Sequence, residues 1–391
     1  MRTEKIRIGL LKLEYFLGAA IVICQLFSMQ KMSSWLFYGT FFVTFFLWIM
    51  AAVERMDRLD LLMLSVAALS LVNILVNGVL ENADFSFQYM KKWMMFCTTL
   101  LYFCVMSKIE IDKKTLSLLK IIYMFIGALL VFLFFTQTSR MYMINGRMST
   151  YLTFGFSNPN LTALFFGCMI MFLALVGSYE KKVLWKICCF MFAAVEIFFV
   201  CKTESRNVLL ALAVFFTVII LRKTGFVTKL RMGKAVSVIV VLFPLIFVIV
   251  YMLVIDLDGI NELFSFMVGE GKQLSSRVKI WKPALDAFRQ SPLFGAYFQI
   301  SDGTGESQMH NSHLDVLVSY GVVAFAVFCY YIYSIMQRIK NRENYDQIAF
   351  IAFICTFLLG IGEAAMFSGG LGIYLHAGIF LAIANSRLKD G

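Results

Sequence analysis

The feature that most constrains this chain is the recurrence of apolar runs about 20 residues long, separated by short stretches that hold most of its charge. Twelve runs can be marked, near 14–30, 33–53, 59–80, 91–108, 115–136, 159–178, 183–201, 206–221, 235–255, 312–335, 347–366 and 370–385. A helix of roughly 20 residues spans the hydrocarbon core of a bilayer. Only helices and closed barrels satisfy every backbone polar group in lipid, and these runs are too long for barrel strands. Composition points the same way: the 391 residues are 60% hydrophobic and 15% charged, with mean hydropathy +0.80. A water-soluble domain of this length could not hide so much apolar surface. The expected fold is all-α: a polytopic membrane protein of about 12 transmembrane helices, with residues 1–391 forming one transmembrane domain.

The net charge of +11 does not make this a nucleic-acid binder, because the basic residues collect in alternate loops. That is a topology signal. With the N-terminus placed inside, the inside stretches carry 21 Lys and Arg and the short outside loops carry seven. The positive-inside rule then predicts two cytoplasmic termini. The longest loop, 256–311, carries five more basic residues. It is expected outside, since long loops cross regardless of charge. The first apolar run has no A-x-A-like exit, so no cleavable signal is expected. The nine cysteines lie in or beside apolar runs without metal-site or disulfide spacing, and read as small hydrophobes. Three histidines and no paired acid cluster offer no framework for a metal; no metal and no cofactor are expected.

Three polar stretches then fall on the outer face. Within the long loop, Ser275-Ser276-Arg277-Val278-Lys279-Ile280-Trp281 is followed by Ala284, Leu285 and Phe288. Positions 281, 284, 285 and 288 make one apolar helical face. Such a short amphipathic helix would lie at the interface, with Trp281 at headgroup level and Arg277 one turn before it. Pro283 would start or kink it, and Ser291-Pro292-Leu293-Phe294-Gly295 would end it. A Gly-rich linker, Asp302 to Gly305, leads to His310-Asn311-Ser312-His313-Leu314-Asp315, where the chain re-enters the membrane. A histidine there can shuttle a proton near neutral pH. The same residues also make a plain solvated helix start with Asn311 or Ser312 as N-cap. The second stretch, Lys202-Thr203-Glu204-Ser205-Arg206-Asn207, sits between two spans with almost no loop. Arg206 could snorkel to a lipid headgroup or serve as an interfacial anchor. In the third, Asn158 as N-cap with Pro159 at the first helical position starts a span without need of any function. Asn73, Glu196, Glu363 and His376 are polar groups inside spans and so functional candidates. Glu196, near the outer end of its span, could reach water, and His376 reads as a satisfied core histidine.

Taken together, these motifs resemble the O-antigen polymerase and O-antigen ligase family, the Wzy/WaaL-type membrane glycosyltransferases. Asn158-Pro159-Asn160 is similar to its N-P-N helix start, and Ser205-Arg206 to its S-R at the outer start of a span. Arg277 with Trp281 is similar to its R-x-x-x-W. His310-Asn311 with Leu314 and Gly321 resembles its H-N-x-aromatic-L before a span containing glycine. The matches run in order across 155–325. Two departures are Gly295-Ala296-Tyr297 in place of G-x-G, and His313 at the usual aromatic position.

The resemblance implies a GT-C-like helical bundle in the cytoplasmic membrane of a bacterium, with its active site on the outer face. It implies a donor glycan on undecaprenyl diphosphate and, as acceptor, the sugar hydroxyl of a second lipid-linked unit. Arg206 and Arg277 would hold the leaving diphosphate by bidentate hydrogen bonds. His310 would be the general base, oriented by Asp315 or Glu204. Trp281, Asn160, Asn311 and His313 complete the set expected to meet substrate. The reaction would be inverting and metal-independent. Membrane lipid, a chain-length regulator and a flippase are the partners implied, and nucleic acid is not. A ligase acting on lipid A core or another acceptor fits the same motifs. The absence of any added domain in the outer loop favours the polymerase. Twelve spans would also suit a transporter or flippase, but no inverted repeat or paired broken helix is present, and the polar residues gather at one face instead of the midplane. A bare scaffold would leave the two arginines and the histidine unexplained.

Overall fold

The computed structural model describes residues 49, 56–80, 87–136, 140–144, 147–151, 159–203, 205–224, 234–254, 275–296, 309–342, 345–362 and 373–386. Expectations for 14–30 and for 33–53 apart from Ile49 lie outside these residues. So do Asn158, Glu204, Glu363, the Asp302–Gly305 linker and both termini.

Eleven helices are described, and most match a predicted run. They are α1 Arg58–Leu80, α2 Phe87–Met106, α3 Lys113–Thr136, α4 Pro159–Tyr179, α5 Val183–Thr203 and α6 Arg206–Lys223, followed by α7 Lys234–Val254, α8 Ser275–Gln290, α9 Ser312–Lys340, α10 Gln347–Leu359 and α11 Ile373–Ala384. Six of them are long and apolar enough to cross a membrane, and the protein is a multi-pass membrane protein. To the helical class the structure adds one hairpin, β1 Arg140–Ile144 paired antiparallel with β2 Arg147–Tyr151. Ile144 pairs with Arg147, which leaves Asn145-Gly146 between the strands. An Asn-Gly pair is a strong hairpin signal, which the all-helical expectation passed over.

The helices start where short polar side chains satisfy their first amides. Asp57 Oδ1 accepts from the Leu59 and Asp60 amides, each at 3.0 Å. Asp112 Oδ1 accepts from Thr115 N at 2.7 Å, and Asp346 Oδ1 from Ala349 N at 2.9 Å. Helix α4 is buried from Thr162 to Gly177 and α11 along its whole length, so they form the centre. Around them α1, α3, α5 and α7 turn Leu69, Phe125, Phe132, Met191 and Leu253 outward. In water such a surface would aggregate; in lipid it is the expected exterior. Small residues bring helices close: a Cβ on Gly378 of α11 would fall 2.0 Å from the Tyr102 ring of α2.

One end of the bundle is rich in Lys and Arg and is locked by polar contacts. Lys108 pairs with Asp60, Tyr331 donates to Asp60 at 3.1 Å, and Arg338 bonds Asp57 at 2.6 Å. Lys120 pairs with Glu180, and Tyr179 donates to the Asp346 carboxylate. Asn385 donates to Ile109 O at 3.0 Å. These contacts gather the ends of α2, α4, α9 and α11 with the starts of α1, α3 and α10. The starts of α2, α4, α9 and α11 must therefore lie at the opposite end.

Candidate functional site

The opposite end is organised by α10, which is short. Its 13 residues rise about 20 Å, against a hydrocarbon core of about 30 Å. Its last carbonyls therefore need partners inside the protein. Leu359 O accepts from Asn207 Nδ2 at 2.8 Å. Gly360 O accepts from Ser312 N at 3.0 Å. Ile361 O accepts from Asn311 Nδ2 at 3.1 Å. Three hydrogen bonds thus draw the start of α6 and the start of α9 to one point.

Helix α8 reaches the same point. A Cβ placed on Gly362 would lie 3.0 Å from Asn207 Nδ2 and 3.1 Å from Arg277 Nη1. The guanidinium of Arg277 is thus beside the start of α6, close to the bare backbone at 362. Arg206, exposed, is the first residue of α6. The N-cap there, Ser205, makes no side-chain cap hydrogen bond. A helix N-terminus favours an anion. Asn160 lies half-buried at the second position of α4. Glu204 falls outside the described residues.

Helix α8 has the amphipathic face the spacing predicts, with Ile280, Trp281, Ala284 and Ala287 buried and Lys279, Lys282, Asp286 and Arg289 exposed. Pro283 lies on the exposed side within the helix, eight residues after its start, where water can serve the carbonyl left without a donor. The placement of Trp281 is corrected. It is fully enclosed by protein, so its ring has no face left for lipid headgroups. Its ring meets Tyr251 of α7 edge-on at 5.8 Å, and its Nε1 donates to Met309 O at 2.7 Å. Burying an indole costs least when its N–H finds an acceptor, and the chain just before α9 supplies one.

That chain is strained. His310 has φ 47°, the one non-glycine positive φ among the described residues. An L-residue held there costs about 1–3 kcal/mol, and such outliers cluster at functional positions. His310 is only half-buried, yet both neighbours are fully enclosed. Met309 is held by Trp281 as above. Asn311 caps α9, accepting from His313 N at 3.1 Å and Leu314 N at 2.9 Å. Its amide also donates to Pro244 O of α7 at 2.9 Å. All its hydrogen-bonding capacity is spent on joining α7, α9 and α10.

Two other expected site residues are also enclosed. His313 is buried among Phe325, Phe328 and Phe357, with ring centroids 6.0, 5.6 and 6.0 Å away. It packs as the aromatic residue usual at that position would. Neither ring nitrogen has a hydrogen-bond partner among the described residues, although the Val241 backbone lies beside the ring. Asp315 is bonded at 2.5 Å to Lys92 of α2, a residue the motifs did not single out. That ion pair, not His310, is what its carboxylate serves.

Helices α8 and α9 are clasped by two glycines. Gly321, with φ 80° and ψ 174°, breaks α9, and Gly295, with φ 87°, ends the turn after α8. A Cβ on Gly321 would meet Leu293 O at 2.3 Å, and one on Gly295 would meet Ser319 O at 2.4 Å. Ala296 N donates to Val318 O at 2.8 Å and Val322 N to Pro292 O at 2.9 Å. Asn73 of α1 ties in by donating to Phe294 O at 3.1 Å. Of the remaining polar groups inside spans, Glu196 does not reach water. It is buried against Gly127 of α3 and has no hydrogen-bond partner among the described residues. His376 packs edge-on against Tyr123 and Phe165 at 5.5 and 5.7 Å. No cluster of metal-ligating side chains occurs among the described residues.

Residues 187–329 match the family described as O-antigen ligase. The matched stretch covers Arg206, Arg277, Trp281 and the whole of 309–321. No curated protein and no solved structure matches the chain.

Proposed function

We propose that this chain, whose residues 187–329 match the family described as O-antigen ligase, polymerises lipid-linked glycan repeat units at the outer face of the bacterial cytoplasmic membrane. The observation that carries this reading is the convergence at the end of α10. Arg277 meets the start of α6 there, and α9 starts from the same carbonyls just after the strained His310.

The chemistry is balanced by these groups. The donor is a glycan on undecaprenyl diphosphate. A hydroxyl oxygen of the acceptor, a second lipid-linked unit, attacks the anomeric carbon from the face opposite the diphosphate. The bond from that carbon to the diphosphate oxygen breaks, the electron pair leaves with the diphosphate, and the configuration inverts. Arg277 and Arg206 hold the leaving group through planar forks that match phosphate. The first amides of α6 add fixed dipoles at no cost in reorganisation. His310 takes the hydroxyl proton. Asn311 and His313 act from inside the fold, as positioning and packing groups. No metal is required by this scheme. A chain-length regulator and a flippase that delivers the substrate are the protein partners it calls for.

The test is polymer formation from purified lipid-linked repeat units in reconstituted vesicles with EDTA present. Arg206→Lys and Arg277→Lys, which keep charge but lose the fork, should each lose most polymer. His310→Ala should lower turnover by ~10²–10⁴-fold, the usual worth of a general base. Wild-type rates from both lysine variants would reduce the arginines to anchors. Transfer to a lipid A core acceptor, with no polymer formed, would make the protein a ligase.

A further inference from the structure

We infer that Trp281 is a positioning residue for His310, and that through it one helix sets both the leaving-group clamp and the base. This rests on the reading just given. Trp281 is fully buried, so it has no surface to offer a substrate. A buried indole N–H can be satisfied by any nearby carbonyl, but here it donates at 2.7 Å to Met309 O. That carbonyl belongs to the peptide unit joining Met309 to His310. The orientation of this plane about the N–Cα bond of His310 is what φ of His310 measures. The hydrogen bond therefore acts on the very torsion that stands at 47°. Without it, one restraint against turning toward the negative φ that an L-residue prefers is lost.

The other constraints on this stretch are placed differently. Asn311 fixes the chain on the far side of His310, through the cap of α9 and the bonds to Pro244 O and Ile361 O. Tyr251 braces the indole edge-on at 5.8 Å and lies within electrostatic reach of Arg277. Arg277 and Trp281 are four residues apart on α8, hence on one face. A shift of α8 moves the guanidinium and the His310 peptide together, so the distance between clamp and base is held by one rigid element.

The experiment removes the N–H and keeps the ring. Trp281→Phe is compared with replacement of Trp281 by benzothienylalanine, which keeps the bicyclic shape and substitutes sulfur for N–H. Each is made alone and together with His310→Ala, and kcat and donor KM are measured in vesicles of lipid with purified lipid-linked repeat units. Loss of one hydrogen bond predicts kcat roughly 3- to 10-fold lower, with donor KM unchanged because Arg277 stays in place. In the His310→Ala background the same replacements should have no further effect, since residues acting through one group are not additive. Equal fold-losses in both backgrounds would show that Trp281 acts elsewhere and overturn the inference, as would wild-type kcat from the benzothienylalanine protein while His310→Ala is inactive. Wild-type kcat from His310→Ala would instead remove the functional reading and this inference with it. Should Trp281→Phe fail to accumulate in the membrane, the isosteric replacement still decides.

Discussion

Replacing Gly321 by alanine tests the clasp that sets α8 against α9. Two costs can be worked from the structure. First, φ 80° with ψ 174° lies in a region essentially reserved for glycine, and holding an L-residue there costs about 1–3 kcal/mol. Second, the new Cβ would sit 2.3 Å from Leu293 O. That is a backbone atom, so no rotamer relieves the overlap. Relief would require the turn to withdraw, breaking the Ala296 N–Val318 O and Val322 N–Pro292 O hydrogen bonds, each worth about 0.5–1.5 kcal/mol. Together these predict a loss of roughly 4 kcal/mol. Reversible unfolding of the purified protein in mixed micelles would measure it. Gly295→Ala should cost a similar amount, and the double variant little more than either single one, because both break one clasp. Gly127→Ala is the control: its Cβ would meet the Phe192 ring at 3.1 Å, a side chain that can move. A loss under 1 kcal/mol for Gly321→Ala would refute the reasoning, whatever happened to activity.

Asn311→Ala removes an N-cap worth about 1 kcal/mol and two interhelical hydrogen bonds averaging about 0.6 kcal/mol each within membranes; a loss of about 2 kcal/mol is expected in the same assay, and no loss would show that α7, α9 and α10 are not joined there. Burial alone would raise the Asp57 carboxyl, but hydrogen bonds from Asp60 and the charges of Lys108 and Arg338 outweigh it and hold it down at about 2. A lowered folded-state value contributes stability that is complete above the ordinary carboxylate value and is lost as pH falls toward 2. Acid unfolding should therefore steepen between about pH 4 and 2, and Asp57→Asn should flatten that limb; an unchanged curve would remove Asp57 from the lock. For topology, single cysteines at Glu270 and Gly305 in a cysteine-free background should react with an impermeant thiol reagent in intact cells, while those at Thr228 and Lys340 should not. The opposite pattern would put the candidate site in the cytoplasm.

Hydrophobic length decides a helix without reference to anything distant, since lipid offers no partner for an open backbone. That is why runs such as 59–80 and 159–178 foretold α1 and α4 almost to the residue. The cap at Asn311, the apolar face of α8 and the turn from Ser291 were legible for the same local reason. The order of Arg206, Arg277 and His310 along the chain was legible as well, together with their resemblance to one family. The convergence of the helix starts that carry them was not, because it depends on α10 stopping short and on carbonyls 359–361 bonding to Asn207, Ser312 and Asn311. Trp281 looks interfacial by composition and is buried because α7 and the 309–311 segment cover it. Asp315 looks like a partner for its neighbour in sequence, and finds Lys92 instead. Gly295 and Gly321 read as a turn and a small residue; that each lies against backbone of the opposite segment is visible only once α8 and α9 are packed. Local chemistry determined the elements of this protein, and the distances between elements, set by which carbonyls and amides had to be satisfied inside the bundle, decided the site.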